Sequence, residues 1–191
     1  MTTYQIALFV HLLALLAATA ASAIVHLAAS RRAAAPTLRQ SMEWGKLIGS
    51  TSRVFPIAVV ALIATGGYMV AGHWTWSLGW VQAGLAGALV LFASGAVIGK
   101  RGAAEAKANV ARLQTAGHDL PNHAAPDRVA AVLSEANTWL ALSIVLVMTI
   151  KPALMGSVAV LAAGWAVGAY RGRGHARARA ALDEASEAEA A

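Results

Sequence analysis

Hydrophobic residues fill this chain in long blocks that short polar or basic segments separate. The blocks cover residues 4–29, 54–71, 81–98 and 129–170. A hydrocarbon core of about 30 Å needs about 20 mostly apolar residues in a helix. Each of the first three blocks therefore predicts one membrane-spanning helix. The fourth block is about twice as long as one crossing needs.

The fourth block has its break at Lys151-Pro152. Proline lacks a backbone N–H and disfavours helical geometry at the residue before it. We therefore expect one helix over 129–150 and another over 152–170, joined by a tight hairpin. The sequence thus predicts an all-α transmembrane helical bundle of about five spans.

The remaining segments extend or connect these spans. Residues 1–170 form the single predicted domain, with a loop over 99–128 and a tail over 171–191. The alanine-rich stretch 102–116 has a high helix propensity and is expected to extend the third span. Residues 40–52 predict a polar lead-in to the second span.

The composition supports a membrane protein. Of 191 residues, 58% are hydrophobic and 13% are charged, whereas an average soluble domain has about 25% charged residues. So few charges cannot cover a water-facing surface. The chain has no cysteine, which excludes disulfides, thiolate metal sites and cysteine nucleophiles.

The basic residues predict the orientation. All of the fifteen Lys and Arg residues except Lys151 lie between the first two spans, in the loop 99–128 or in the tail. Basic residues collect on the cytoplasmic side of short loops, so we expect the N-terminus outside and the C-terminus in the cytoplasm of an inner-membrane protein. The residues before the first span include no basic residue, which indicates an uncleaved span rather than a signal peptide. The net charge of +6 then follows from topology, and no nucleic-acid partner is expected.

Small residues recur at four-residue spacing on three spans, and tryptophans cluster after the second. The small residues are Ala14, Ala18 and Ser22, Gly95 and Gly99, and Gly164 and Gly168; the tryptophans are Trp74, Trp76 and Trp80. Small residues let helices approach closely in lipid. We expect them to pack the bundle, with a homo-oligomer or a larger membrane complex as the alternative. The tryptophans predict an interfacial aromatic belt at the outer surface.

Polar or ionisable side chains inside a span are costly and are therefore candidates for ligand binding. The first group of candidates is expected in the outer half of the membrane. His11, Met69, His73 and Met148 fall in that half. Imidazole with thioether is a ligand set for Cu(I), and a histidine pair or histidine with methionine also holds a b-type haem. The last three spans contain no histidine, so at most one haem is expected. The alternative is that the methionines pack and the histidines bond to water or backbone.

The inner half contains His26 and Glu135. A carboxylate in lipid has to be neutralised, paired or hydrated, so these two side chains predict a proton or polar relay. The alternative is that Glu135 reaches cytoplasmic water from a helix that begins later than residue 129. Lys151 is expected to extend to the outer surface and to cap the fourth span.

Sites of other kinds receive less support. His118, Asp119, His123 and Asp127 form a loop cluster, but no helix holds their spacing for a metal. The sequence contains no nucleophile elbow, phosphate-binding glycine loop or zinc-protease motif. We therefore expect no enzyme.

Four short stretches of the sequence resemble those of a known group of membrane proteins. They are LFVHLLA at 8–14, ATGGYM at 64–69, WSLGW at 76–80 and LVMTIKP at 146–152. With them the chain resembles small bacterial integral membrane proteins that look like relatives of the membrane domain of copper-resistance protein D. That group tends to show tryptophan and glycine soon after its first histidine, where this chain has AATA at 17–20. The resemblance implies a multi-helix bundle and a ligand role for His11.

Three functional hypotheses follow from these residues. The first is a non-enzymatic protein that handles copper or haem at its outer face. The second is a structural or accessory subunit of a membrane complex, without ligand chemistry. The third is a proton-coupled small carrier that uses His26 and Glu135.

Overall fold

The computed structural model describes residues 2–116, 120–122 and 127–190, with the backbone alone at 175–176 and 178–190. In that part of the chain all regular secondary structure is helical. The helices are α1 (Thr3–Ala33), α2 (Leu38–Thr51), α3 (Val54–His73), α4 (Gly79–Ala116), α5 (Arg128–Ile150) and α6 (Leu154–Ala190). Five segments are long and apolar enough to cross a membrane, with α2 and α3 counted as one. The all-α prediction with five such segments is confirmed.

The surface of these helices is apolar. Large apolar side chains are exposed on the outside of the bundle, including Leu16 at 66% and Ile57 at 72%. Soluble monomers rarely expose continuous apolar patches of this kind. The exposed surface is therefore consistent with a multi-pass membrane protein.

Helix α1 packs against α2 and α3 through a seam of small residues. Its buried and half-buried positions recur at alternating spacings of three and four, which is the repeat of a left-handed coiled coil. One row of them is Tyr4, Ala7, His11, Ala14, Ala18, Ala21, Val25 and Ala28, and the half-buried Leu8, Leu15, Ser22 and His26 lie next to it. The alanines allow the helix backbones to approach closely. Ala14 and Ala18 therefore pack within the bundle, as the sequence predicts.

Helices α5 and α6 form the closest helix pair, because glycines on α6 face the backbone of α5. A Cβ atom on Gly168 would lie 2.6 Å from the Ala136 Cα, and one on Gly172 would lie 2.8 Å from the Val132 Cα. A Cβ on Gly164 would overlap the Ser143 side chain. In contrast, Gly99 on α4 has nothing within 4 Å.

The two ends of the bundle differ in chemistry. We call the start of α1, the link 74–78 and the turn 151–153 the tryptophan end. The opposite end, with the end of α1, α2, residues 120–122 and the start of α5, is the arginine end. Several polar contacts close the arginine end. They are the ion pair of Arg32 with Glu105, the Arg101 Nε–Asp127 Oδ2 pair at 2.6 Å, and bonds from Asn122 Nδ2 to the carbonyls of Arg32 and Ala35.

Two details refine the predicted boundaries. The third span continues without a break to Ala116, as its alanine-rich sequence predicts. The lead-in to the second span is a separate helix, α2, because the N–H groups of Arg53 and Phe55 bond carbonyls three residues back instead of four. Thr37 caps α2 by accepting from the Gln40 N–H.

The glycine contacts predict opposite effects for two matched substitutions. We expect Gly168→Ala to destabilise the protein by about 1–3 kcal/mol, because its methyl group would overlap α5. Gly99→Ala should be neutral or stabilising by up to about 1 kcal/mol, because alanine favours helix where there is room. Thermal unfolding in detergent measures both. Equal effects at the two sites would contradict this packing.

We expect Asp127, at the start of α5, to make a pH-dependent contribution to the stability of the protein. It caps α5 by accepting from the N–H groups of Val129 and Ala130, and the hydrogen bond from Arg101 lowers its pKa. The ionised carboxylate thus stabilises the fold at neutral pH, and this contribution is lost as the pH falls through the lowered pKa.

We expect Asp127→Ala to cost about 0.5–2 kcal/mol at pH 7 through loss of the cap. Asp127→Asn keeps a capping oxygen and should lose only the stabilisation that comes from the negative charge. The difference between the native chain and Asp127→Asn should begin to shrink as the pH falls below about 4 and should continue to shrink as the pH passes through the lowered pKa of the folded state. Thermal unfolding at pH 7 and pH 3 tests this, and a difference as large at pH 3 as at pH 7 would refute it.

Candidate functional site: a histidine–methionine seam

His11 is held against α3 by a threonine. Its Nδ1 lies 3.0 Å from the Thr65 Oγ1, and the Thr65 hydroxyl donates to the Ala61 carbonyl at 2.6 Å. A hydroxyl has one proton to donate, so the Thr65 oxygen accepts from a protonated Nδ1. The neutral ring then carries its lone pair on Nε2.

The contact with Thr65 also fixes the orientation of the His11 ring against α3. Such outer contacts, which orient a histidine and fix its proton, commonly accompany histidine ligands of metals.

Further donor side chains share the α1–α3 interface. Thr65, Met69 and His73 follow one another at four-residue spacing on one face of α3. The His73 ring lies 4.4 Å, centroid to centroid, from Tyr4 of α1. Because contacts at both Thr65 and His73 reach α1, the half-buried Met69 between them lies on the same face. We call His11, Met69 and His73 the histidine–methionine seam.

The two histidines of the seam lie at different levels. Thr65, the partner of His11, is eight residues before His73, or about 12 Å along α3. Metal–nitrogen bonds are about 2 Å long, so this arrangement does not bring His11 and His73 together around one ion. Met69 is one helical turn from each level. Met69 is thus the one sulfur donor on α3 between the levels of the two histidines.

Glycines of α3 make room beside the seam. A Cβ atom on Gly66 would lie 3.4 Å from the His11 Cε1. One on the next residue, Gly67, would lie 3.5 Å from the ring of Trp76. Gly66 thus leaves room for His11 of α1, and Gly67 leaves room for Trp76 of the link.

Met148 lies in another interface. Its Cε packs against Gly84 of α4, where a Cβ would overlap it. Methionine commonly fills such gaps between helices. The structure therefore separates Met148 from the seam with which the sequence grouped it.

His26 has the same kind of partner as His11, near the arginine end. Its Nε2 lies 3.0 Å from the Thr138 Oγ1, and that hydroxyl donates to the Ser134 carbonyl. Thr138 lies three residues after Glu135, whose Cβ lies beside Gly172 of α6. The hydrogen bond of His26 thus goes to Thr138, and a relay between His26 and Glu135 stays a prediction.

Metal sites built from carboxylates and histidines have no place in the described structure. Among residues 2–116, 120–122 and 127–174, no three His, Asp or Glu side chains group to hold a metal ion. His118, Asp119 and His123 of the predicted loop cluster lie outside the described residues.

Known proteins offer no relative with which to compare the seam. No protein family, curated protein or solved structure matches the chain.

Sequence reasoning missed Thr65 and Tyr4, the two residues that hold the histidines. For Thr65 a signal was present, because it is the one Ser or Thr within 54–71. A lone hydroxyl in an apolar span commonly bonds another helix. For Tyr4 the sequence gave no comparable indication.

The hydrogen bond of His11 predicts the effect of two substitutions at Thr65. Thr65→Val should cost about 1 kcal/mol, because it removes one acceptor from a half-buried N–H. Thr65→Ser should retain the bond and the proton on Nδ1. Thermal unfolding and the 15N shifts of the His11 ring measure these effects.

Thr149→Val is a suitable control, because the Thr149 hydroxyl bonds its own helix at the Val145 carbonyl. An Nε2-protonated His11 in the native chain would contradict the assignment.

Proposed function

We propose that this chain is a non-enzymatic, multi-pass protein of the inner membrane that binds Cu(I) as cargo in the histidine–methionine seam. The observation that carries the proposal is the hydrogen bond from His11 Nδ1 to Thr65. It leaves Nε2 with its lone pair, in a seam that also contains a thioether. The resemblance of residues 8–14 to the copper-resistance group supports the same residue.

The choice of ion follows from the donor set. The seam offers two imidazoles and one thioether and no carboxylate, and soft ligands of this kind favour Cu(I) over hard divalent cations. A b-type haem fits less well. The α1 and α3 side chains are in contact at both His11 and His73, so a porphyrin between them would have to separate the helices.

The orientation follows from charge. The arginine end carries the basic segments, whereas the tryptophan end carries Lys151 as its one Lys or Arg. Under the positive-inside rule the tryptophan end faces outward. The exposed His73 then lies at the outer surface, and His11 lies deeper.

This order suggests a path for the ion. Cu(I) is received at His73, shared between His73 and Met69, and then between Met69 and His11. Each step spans one turn of α3, or about 6 Å. The seam thus offers successive two-donor positions instead of one closed site, as suits a cargo that is bound and released.

The proposal predicts Cu(I) binding by the purified protein. With Cu(I) supplied through a chromophoric chelator, the native chain should compete for the ion. His11→Ala and Met69→Leu should each weaken the affinity by at least about tenfold, since each removes a ligand.

Met148→Leu is the matched control and should bind as the native chain does, because Met148 packs on Gly84. Absence of competition by the native chain, or equal losses for Met69→Leu and Met148→Leu, would refute the proposal. Purified protein with a Soret band that His11→Ala abolishes would indicate haem instead.

The orientation has a separate test. Reporters fused to the two chain ends should show the N-terminus outside and the C-terminus in the cytoplasm. Activity of both reporters in one compartment would overturn the assignment of the tryptophan end to the outer surface.

A further inference from the structure

A cavity of about 560 Å³ opens at the arginine end, where α1 turns into α2. Its α2 side is formed by Gln40, Glu43, Trp44 and Leu47, whose spacing of three and four residues places them on one face of the helix. Arg31, in the last turn of α1, also lines it. The volume lies within the range of about 300–1,000 Å³ that is usual for small-molecule sites.

The cavity contains two opposite charges without a partner. Arg31 and Glu43 are both exposed, and the side chain of neither forms an ion pair or hydrogen bond within the part of the chain that the structure describes. The neighbouring Arg32 differs, because it pairs with Glu105. A ligand that carries one negative and one positive group would therefore find a partner for each of them here.

The level of the cavity along the bundle follows from the pairing of α1 with α2. A Cβ atom on Gly45 would lie 3.9 Å from the Arg32 Nε, so this part of α2 lies beside the end of α1. The apolar block of α1 ends at residue 29, directly before the cavity. The half-buried Trp44 fits this level, since indole rings concentrate where lipid headgroups meet hydrocarbon. The cavity thus lies at the level of the headgroups.

An apolar track leads to the cavity along α1. Ile24 and Leu27 are exposed at 44% and 59%, and with Arg31 they share one face of the helix, at spacings of three and four residues. Leu47, on the α2 side of the cavity, is exposed as well. An acyl chain that lies along Ile24 and Leu27 would bring its own headgroup to Arg31.

The two charges also lie in a defined order. Because Gly45 lies beside Arg32, the level of Arg31 falls about three residues, or about 4.5 Å, from Glu43 along α2. The turn between the helices reverses the chain, so Glu43 lies farther from the apolar part of the bundle. In a phosphoethanolamine headgroup the phosphate is joined to the glycerol and the ammonium lies beyond it. The headgroup and the cavity thus have the same order of charges.

We propose that this cavity binds the headgroup of an aminophospholipid of the phosphatidylethanolamine type. The Arg31 guanidinium donates to the phosphate oxygens, and the lipid ammonium donates to the Glu43 carboxylate. Phosphatidylglycerol has no ammonium, so its phosphate would face Glu43 without compensation, which selects against it. The site uses α1 and α2 at the arginine end and does not depend on copper binding in the seam.

Native mass spectrometry of the delipidated full chain in detergent tests the site. The protein is mixed with equal amounts of dioleoyl-phosphatidylethanolamine or dioleoyl-phosphatidylglycerol, and the lipid-bound fraction is measured. We expect the native chain to bind the first lipid about two- to fivefold more strongly, as one exposed ion pair allows.

Two substitutions separate the roles of the charges. Arg31→Gln should weaken binding of phosphatidylethanolamine by about two- to fivefold, because the phosphate loses its partner. Glu43→Gln should remove the preference between the lipids, because it removes both the partner of the ammonium and the repulsion of the phosphate. Lys100→Gln is the matched control, since Lys100 is an exposed cation at the same end that does not line the cavity. Thermal unfolding of each variant shows that the fold is retained.

Several results would overturn the proposal. They are equal binding of the two lipids by the native chain, a preference that survives Glu43→Gln, and a loss for Lys100→Gln as large as that for Arg31→Gln. Free phosphoethanolamine at the concentration of the lipid should leave the lipid bound, because it lacks the acyl chains. Displacement of the lipid by it would indicate a soluble phosphate ligand instead.

Discussion

Lipid offers no hydrogen bonds, and this constraint shapes the interior of the protein. Every polar group in a span has to find its partner within the bundle. His11 and His26 of α1 both use a threonine hydroxyl of another helix, and Ser94 of α4 donates to the Asn137 side chain of α5. These bonds cross between helices whose faces are otherwise apolar. The polar contacts therefore fix which helices are neighbours, and so where the seam lies.

The same constraint explains the prominence of small residues. Lipid tails are as apolar as leucine, so helices gain little from hydrophobicity against each other and must gain from close contact. The alanine seam of α1 and the glycine face of α6 supply that contact. Close approach on α1 is also what brings His11 within 3.0 Å of Thr65. Packing by small residues is thus a condition for the chemistry of the seam.

Hydropathy and proline placement were enough to predict five apolar helices, because helix length in a bilayer depends on the number of apolar residues. They did not predict that α6 continues past residue 170 to Ala190. The level of each candidate along the membrane was also largely predictable from residue number. Rotation and register were not. His11 and His73 both lie toward the tryptophan end, yet their levels differ by about 12 Å, and Met148 packs between α4 and α5. Both facts depend on how glycines such as Gly66 and Gly84 seat their neighbours, which is a property of helix pairs and not of one span.

The two histidines of α1 differ in which ring nitrogen is free to bind an ion. Both rings donate to a threonine, but His11 does so through Nδ1 and His26 through Nε2. The lone pair of His11 is consequently on Nε2, the ring nitrogen farther from its own backbone, where an ion can approach. The lone pair of His26 is on Nδ1, beside its own helix, where approach is hindered. Met69 follows Thr65 by one turn, whereas Thr138 is followed by no sulfur donor until Met148. Of the two histidines of α1, His11 is therefore the one with a thioether at a neighbouring level. Helix α1 thus carries one histidine suited to a ligand and one suited to joining α1 to α5.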